Sequence, residues 1–119
     1  MAGIINTLRK RRDFQKVYNE GRSYHGENLV VIIRRTGEKP GMLAYVASRR
    51  VGSAVRRNRA RRVLREAFRT IGVDLREEDV HIAFIARASC ATVKMQDARD
   101  EMEKILSAAG ILKTDIYKR

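Results

Sequence analysis

Arginine grips phosphate through a planar fork of N–H donors and stacks on bases through its flat face, and this chain crowds it into one stretch. Between Ser48 and Arg69, arginine stands at Arg49, Arg50, Arg56, Arg57, Arg59, Arg61, Arg62, Arg65 and Arg69, with Glu66 the one acidic residue among them. At about 3.6 residues per turn, Ala60, Val63, Leu64, Ala67, Phe68 and Ile71 gather on one side of a helix. Asn58, Arg62, Arg65 and Arg69 follow i, i+4, i+7 and i+11 on the opposite side, flanked by Arg59 and Arg61, with Arg56 and Arg57 in the first turn. A face that only needs solvating is served by Lys and Glu in i, i+4 pairs. Unbalanced arginines repel one another along a helix, and an external lattice of anions removes that repulsion. The pattern therefore predicts nucleic-acid binding, with the helix N-terminus near Ser53 and Ala54 helping to attract a phosphate.

The whole composition agrees. Lys and Arg number 26 against 14 Asp and Glu, a formal charge of +12 with pI near 10.7, so the natural partner is a polyanion. The longest apolar run, Leu29 to Ile33, is far short of the ~20 residues that cross a bilayer. An anionic membrane surface is the physical competitor, but the apolar side of the arginine helix is short and needed for the core. Sequence-specific DNA reading by an inserted helix lacks its helix-turn-helix partner, because Met42 to Ser48 reads as a strand. Composition does not separate DNA from RNA. No apolar stretch of signal-peptide length follows the basic run Arg9 to Arg12. Cys90 is the single cysteine, so neither an intramolecular disulfide nor a thiolate-based zinc site can form within one chain. Both features predict a cytoplasmic protein.

Other candidate chemistry is thin. His25 and His81 have no partner at metal-ligand spacing and read as ordinary polar or strand residues. Asp97, Asp100, Glu101 and Glu103 lie off the apolar stripe of the last helix and read as a solvated face, not a paired-carboxylate nuclease. Ser48 and Ser53 have no histidine base in recognisable context, Cys90 has no activator, and no glycine-rich nucleotide loop is present.

The elements that must position the arginines follow from periodicity. The length predicts one domain over 1–119, with 1–10 a basic, flexible tail. Phe14, Val17 and Tyr18 at i, i+3, i+4, with Gly21 in the position of a helix C′ residue, predict a short helix. Asn28 to Arg35 and Met42 to Ser48 read as strands joined by the turn Thr36 to Gly41 into a hairpin. Ser53 caps the arginine helix, which runs to about Ile71 with Gly72 past its end. The charged connection Asp74 to Asp79 reads as solvated, Val80 to Ala86 as a strand, and Met95, Ala98, Met102, Ile105, Leu106 and Ala109 as the stripe of a helix starting near Thr92 and closed by Gly110. The order α-β-β-α-β-α suits an α+β sandwich, a small sheet covered by helices, in which a β-α-β crossover would ordinarily be right-handed.

The stretch Arg49-Arg50-Val51-Gly52-x-Ala54-Val55-x-Arg57-Asn58-Arg59-x-Arg61-Arg62-x-x-Arg65-Glu66-x-x-Arg69 resembles the RNR motif of the bacterial ribonuclease P protein family. The resemblance extends to Asp13-Phe14-x-x-Val17-Tyr18-x-x-Gly21 and to Ile85-Ala86-Arg87, and so covers most of the chain. It implies a mostly antiparallel sheet with an uncommon left-handed β-α-β crossover. It implies the protein subunit of a ribonucleoprotein endonuclease whose catalytic RNA removes the 5′ leader of precursor tRNA with Mg2+, the ion being bound mainly by RNA and substrate and no catalytic residue lying in the protein. Arg49, Arg50, Arg57, Asn58, Arg59, Arg61, Arg62, Arg65 and Arg69 would contact the catalytic RNA. Phe14, Tyr18 and Arg87 would line a cleft for the single-stranded leader, where aromatic rings stack on bases at ~1–3 kcal/mol each; on a helix such rings are otherwise core. The first strand carries Val30, Val31 and Ile32 where many relatives place an aromatic facing the leader. The implied partners are the catalytic RNA and precursor tRNA, with no membrane and no protein partner required. The remaining alternative is a general basic module, ribosome-associated or DNA-architectural, whose affinity would depend on salt alone.

Overall fold

The structure is a computed structural model that describes residues 6–8 and 10–112. Its elements are β1 (Asn6–Thr7), α1 (Arg11–Glu20), β2 (Arg22–His25), β3 (Leu29–Arg35), β4 (Met42–Val46), α2 (Ala54–Ile71), β5 (Val80–Ala86) and α3 (Met95–Ala108), with 3₁₀ turns at Arg49–Val51, Leu75–Glu77 and Ala88–Ala91. The strands form one sheet in the order β1-β4-β5-β3-β2, and the whole is an α+β domain.

β3 and β5 are apolar on both faces, which suits a strand covered on both sides, and they occupy the interior of the sheet. They pair antiparallel over seven residues, from Leu29 opposite Ala86 to Arg35 opposite Val80. Leu29, Val31 and Ile33 of β3 and Val80, Ile82, Phe84 and Ala86 of β5 point into the main core, which α2 and α3 close with Ala60, Val63, Leu64, Ala67, Phe68, Ala98, Met102 and Leu106. The alternate residues Ile32, Ala83 and, from β4, Ala44 form a smaller cluster with Leu8 and Val17 of α1. Every residue of the predicted α2 stripe from Ala60 to Phe68 is buried.

Several expectations are corrected. β3 and β4 do not form a hairpin, because β5 lies between them: β4 pairs parallel with β5, Met42 opposite His81 through Val46 opposite Ile85. The connection 36–41 spans the incoming end of β5, with Thr36 N–H donating to the Asp79 carbonyl at 2.8 Å and Gly41 N–H to the Leu75 carbonyl at 2.7 Å. A side chain at Gly41 would press on the carbonyl oxygen of Leu75. Asn6 and Thr7 of the supposed flexible tail pair parallel with Met42 and Leu43, and Leu8 is buried; residues 1–5 and 9 lie outside the described residues. β2, a polar four-residue edge strand, pairs with β3 from Arg22 opposite Ile33 to His25 opposite Val30. Gly21 is extended, with φ −75° and ψ 157°, and is small because a Cβ there would strike the Val17 carbonyl and Ile32. The connection 74–79 is not merely solvated: Asp74 caps its 3₁₀ turn, accepting from Arg76 N–H at 3.0 Å, and Leu75 is buried in the core.

Candidate nucleic-acid interface

α2 begins where the sequence places it. The Ser53 Oγ accepts from Arg56 N–H at 3.3 Å, and the helix stops at Gly72, whose φ of 84° is left-handed. Gly52, with φ 129°, turns the chain from the Arg49–Val51 turn into the helix, a conformation that favours glycine.

The helix sorts its arginines into three groups. Arg56, Arg57, Arg59 and Arg61 donate to backbone carbonyls: Arg56 Nε to Val51 at 3.1 Å, Arg57 Nη1 to Gly52 at 3.1 Å, Arg59 Nη1 to Ala91 at 2.8 Å and Arg61 Nη1 to Ala47 at 3.5 Å. They tie the β4–α2 loop and the Ala88–Ala91 turn to the helix. Arg69 donates Nη2 to the Glu66 carboxylate at 2.6 Å, a contact that holds the Glu66 carboxyl below its ordinary range. Arg62 and Arg65 are exposed, and among the described residues neither has a hydrogen-bonding or ion-pair partner. Arg49 and Arg50 are likewise exposed on their 3₁₀ turn. Asn58, which accepts from Arg61 Nη2, shares a shallow basic depression with Val55, Arg59, Arg61, Arg62 and Arg65. Val55 is 77% exposed, an apolar side chain on the lining of a cationic depression.

The second predicted surface lies on the other side of the sheet. Phe14 packs partly buried against the smaller cluster with Val30, Met42, Val46 and Ile85, whereas Tyr18 is 45% exposed. Their rings stack with centroids 6.5 Å apart and planes at 20°. Strand alternation puts Val30 and Ile32 on this side and Val31 in the main core, so the α1 face is aliphatic along β3. Arg87 follows Ile85 by two residues and is exposed, with Nε donating to the Gly26 carbonyl at 2.9 Å and Nη2 lying 3.4 Å from His25 Nδ1. Both contacts are to the end of β2 and the β2–β3 connection. His81 also lies on this side, and desolvation lowers its pKa.

Sequence reasoning missed two residues. Glu101, read as part of a solvated face, accepts from Asn28 N–H at 2.9 Å, Leu29 N–H at 3.0 Å and Asn28 Nδ2 at 3.0 Å, clamping α3 to the start of β3. The signal was Gly26, where any Cβ would collide with the Glu101 carboxylate. Tyr45 reads in the sequence as an ordinary strand residue, yet its ring centroid lies 5.6 Å from the Arg65 guanidinium carbon. Cys90 is buried, its thiol pushed up to about 11 chiefly by desolvation. Among the described residues no three His, Cys, Asp or Glu side chains gather as a metal cage, and no helix is long and apolar enough to cross a membrane.

A family model described as Ribonuclease P matches residues 5–110. The chain is 37% identical over 111 residues to the ribonuclease P protein component of Dehalococcoides mccartyi strain CBDB1, across 92% of this chain and 90% of that one. It is 34% identical over 109 residues to the ribonuclease P protein component of Symbiobacterium thermophilum, across 91% and 94%. Among solved structures, the RNase P protein from Thermotoga maritima superposes with a TM-score of 0.72 at 32% identity, covering 87% of this chain and 96% of that one. The Staphylococcus aureus RNase P protein, at 24% identity, shares the fold with a TM-score of 0.74 over 91% and 98%.

Proposed function

The chain belongs to the ribonuclease P protein family, and on that premise we propose that it is the protein subunit of ribonuclease P, docking its arginine helix on the catalytic RNA and taking the 5′ leader of precursor tRNA against the α1 face of the sheet. It assists an endonucleolytic cleavage that the RNA carries out. Magnesium would be held mainly by the RNA and the substrate; among the described residues no three carboxylate, histidine or cysteine side chains gather to cage it. The setting is the cytoplasm, with no membrane and no further protein partner.

The observation that carries this reading is the pair Arg62 and Arg65, exposed on one face of α2 and without an acceptor among the described residues. Guanidinium groups left open in this way match a phosphate lattice, while the carbonyl-bound arginines beside them keep the helix and its flanking turns in register. The leader face is weaker in rings, offering Phe14 and Tyr18 with aliphatic Val30, Val46 and Ile85. Stacking there would be confined to the helix, and Arg87 would meet the backbone.

The test is binding of the assembled holoenzyme to a precursor tRNA with an unpaired 5′ leader and to the mature tRNA, each over a salt series. The expected result is tighter binding of the leader-bearing RNA at every salt concentration. Equal affinity for both, with salt as the one variable that matters, would overturn the reading in favour of a general basic module.

A further inference from the structure

Tyr45 sits on β4 in register with Phe84 of β5. The two rings stack with centroids 5.6 Å apart and planes at 18°, and Phe84 meets Phe68 of α2 at 5.1 Å. Both phenylalanines are buried. Tyr45 is therefore the partly exposed end of a ring stack rooted in the core, and over it stands the guanidinium of Arg65, three residues before Phe68 on the same helix. A guanidinium within about 6 Å of a ring centroid is attracted to it. Contact with the π face occupies none of its N–H donors, so the fork stays open to an anion. That distinguishes Arg65 from Arg57, Arg59 and Arg61, whose N–H groups donate to backbone carbonyls. It also distinguishes Arg65 from Arg62, for which the described residues supply no ring. Burial pushes the Tyr45 hydroxyl up to about 12, so the ring stays neutral near pH 7.

We propose that Tyr45 is a positioning residue for RNA docking, its ring holding the Arg65 guanidinium in place before the RNA arrives so that less side-chain freedom is lost when phosphate binds. The inference rests on the docking role of α2 and adds the residue that sets its geometry. Arg side chains carry large rotamer entropy, and ordering one in advance favours association without adding a contact.

The experiment is a double-mutant cycle on affinity for a bacterial ribonuclease P RNA, using Tyr45→Leu, Tyr45→Phe and Arg65→Ala, with Arg62→Ala as a control pair. Tyr45→Leu is expected to weaken binding roughly two- to five-fold, the fold-change matching an exposed cation–π contact. The salt slope should be preserved, since the phosphate contact still forms. Tyr45→Phe should restore the affinity. The loss should vanish in the Arg65→Ala background and persist in the Arg62→Ala background. An equal loss with and without Arg65, or no rescue by phenylalanine, would overturn the proposal.

A second readout needs no altered ring. In the free native protein the Arg65 Nε–Hε NMR resonance should be displaced by ring current relative to that of Arg62, and an undisplaced Arg65 resonance would also overturn it. If the resonance is displaced but Arg65→Ala leaves RNA affinity unchanged, the failure belongs to the docking role of the face, and the positioning role falls with it.

Discussion

Arg59 donates to the Ala91 carbonyl, Arg69 to the Glu66 carboxylate, and Arg62 to no acceptor among the described residues, so identical charges within one helix have different work to do. Substitution should separate them. Arg62→Ala is expected to leave the melting temperature within a degree or two and to flatten the salt dependence of RNA affinity by roughly 0.7–0.9 in log–log slope, the value for one lost phosphate contact. An unchanged slope would contradict docking through that face. Arg59→Ala is expected to lower stability by about 1–2 kcal/mol, because it leaves a partly buried carbonyl without its donor, and to alter the slope less. Chemical denaturation and a salt series on the same two variants check both halves. This division could not be read from the sequence, in which Arg57, Arg59, Arg61, Arg62 and Arg65 look equivalent. What periodicity does show is the side of the helix each occupies; which carbonyl lies within reach depends on loops that meet α2 from 14 and 32 residues away.

At the level of elements, α1 and α3 make opposite contributions. α1 fully buries only Val17 and leaves Phe14 and Tyr18 at the rim, which would suit a helix that shares its sheet face with the proposed leader. Phe14→Ala should reduce the preference of the holoenzyme for leader-bearing over mature tRNA, provided the protein remains folded; equal loss for both RNAs would assign Phe14 to the core alone. α3 is fastened by Glu101, whose charge-assisted hydrogen bonds gather the N–H groups that open β3. Glu101→Gln turns one acceptor into a donor facing other donors and should destabilise by about 2–3 kcal/mol in a urea titration; a change below about 0.5 kcal/mol would show the clamp to be idle.

The helices and the three long strands were legible because their apolar residues repeat with the right period and Ser53 and Gly72 mark the ends of α2. The sheet order was not. The turn residues of 36–41 suggest a hairpin, and only the two-faced apolar character of β5 hints that it lies between β3 and β4. β1 and β2 are short edge strands of largely polar residues, and nothing in their local pattern separates them from loop.

The whole molecule joins a polar, cationic α2 surface to a core that ends in titratable groups. Tyr45 and Cys90 have hydroxyl and thiol groups pushed up by desolvation, from 10.0 to about 12 and from 9.0 to about 11. An acid with a raised folded-state pKa keeps its proton longer in the folded chain. Across the interval the folded state therefore binds more protons, and stability falls as pH rises. The contribution of these two groups to stability is intact below about pH 9 and declines toward pH 12, with Tyr45 responsible for about 2 kcal/mol of it once its partial exposure is allowed for. Urea midpoints measured between pH 8 and pH 11.5 should fall less steeply for Tyr45→Phe than for the native protein, and parallel curves would contradict the assignment.

The net charge of +12 and the family point to a polyanionic partner, and the claim joining them is that this protein serves a catalytic RNA. The measurement that tests it most directly is cleavage of a precursor tRNA by a bacterial ribonuclease P RNA at low magnesium, with and without the protein. Correct 5′ maturation that appears only when RNA and protein are combined, and never with the protein alone, is the predicted result. RNA activity unchanged by the protein at every salt and magnesium concentration would contradict the account.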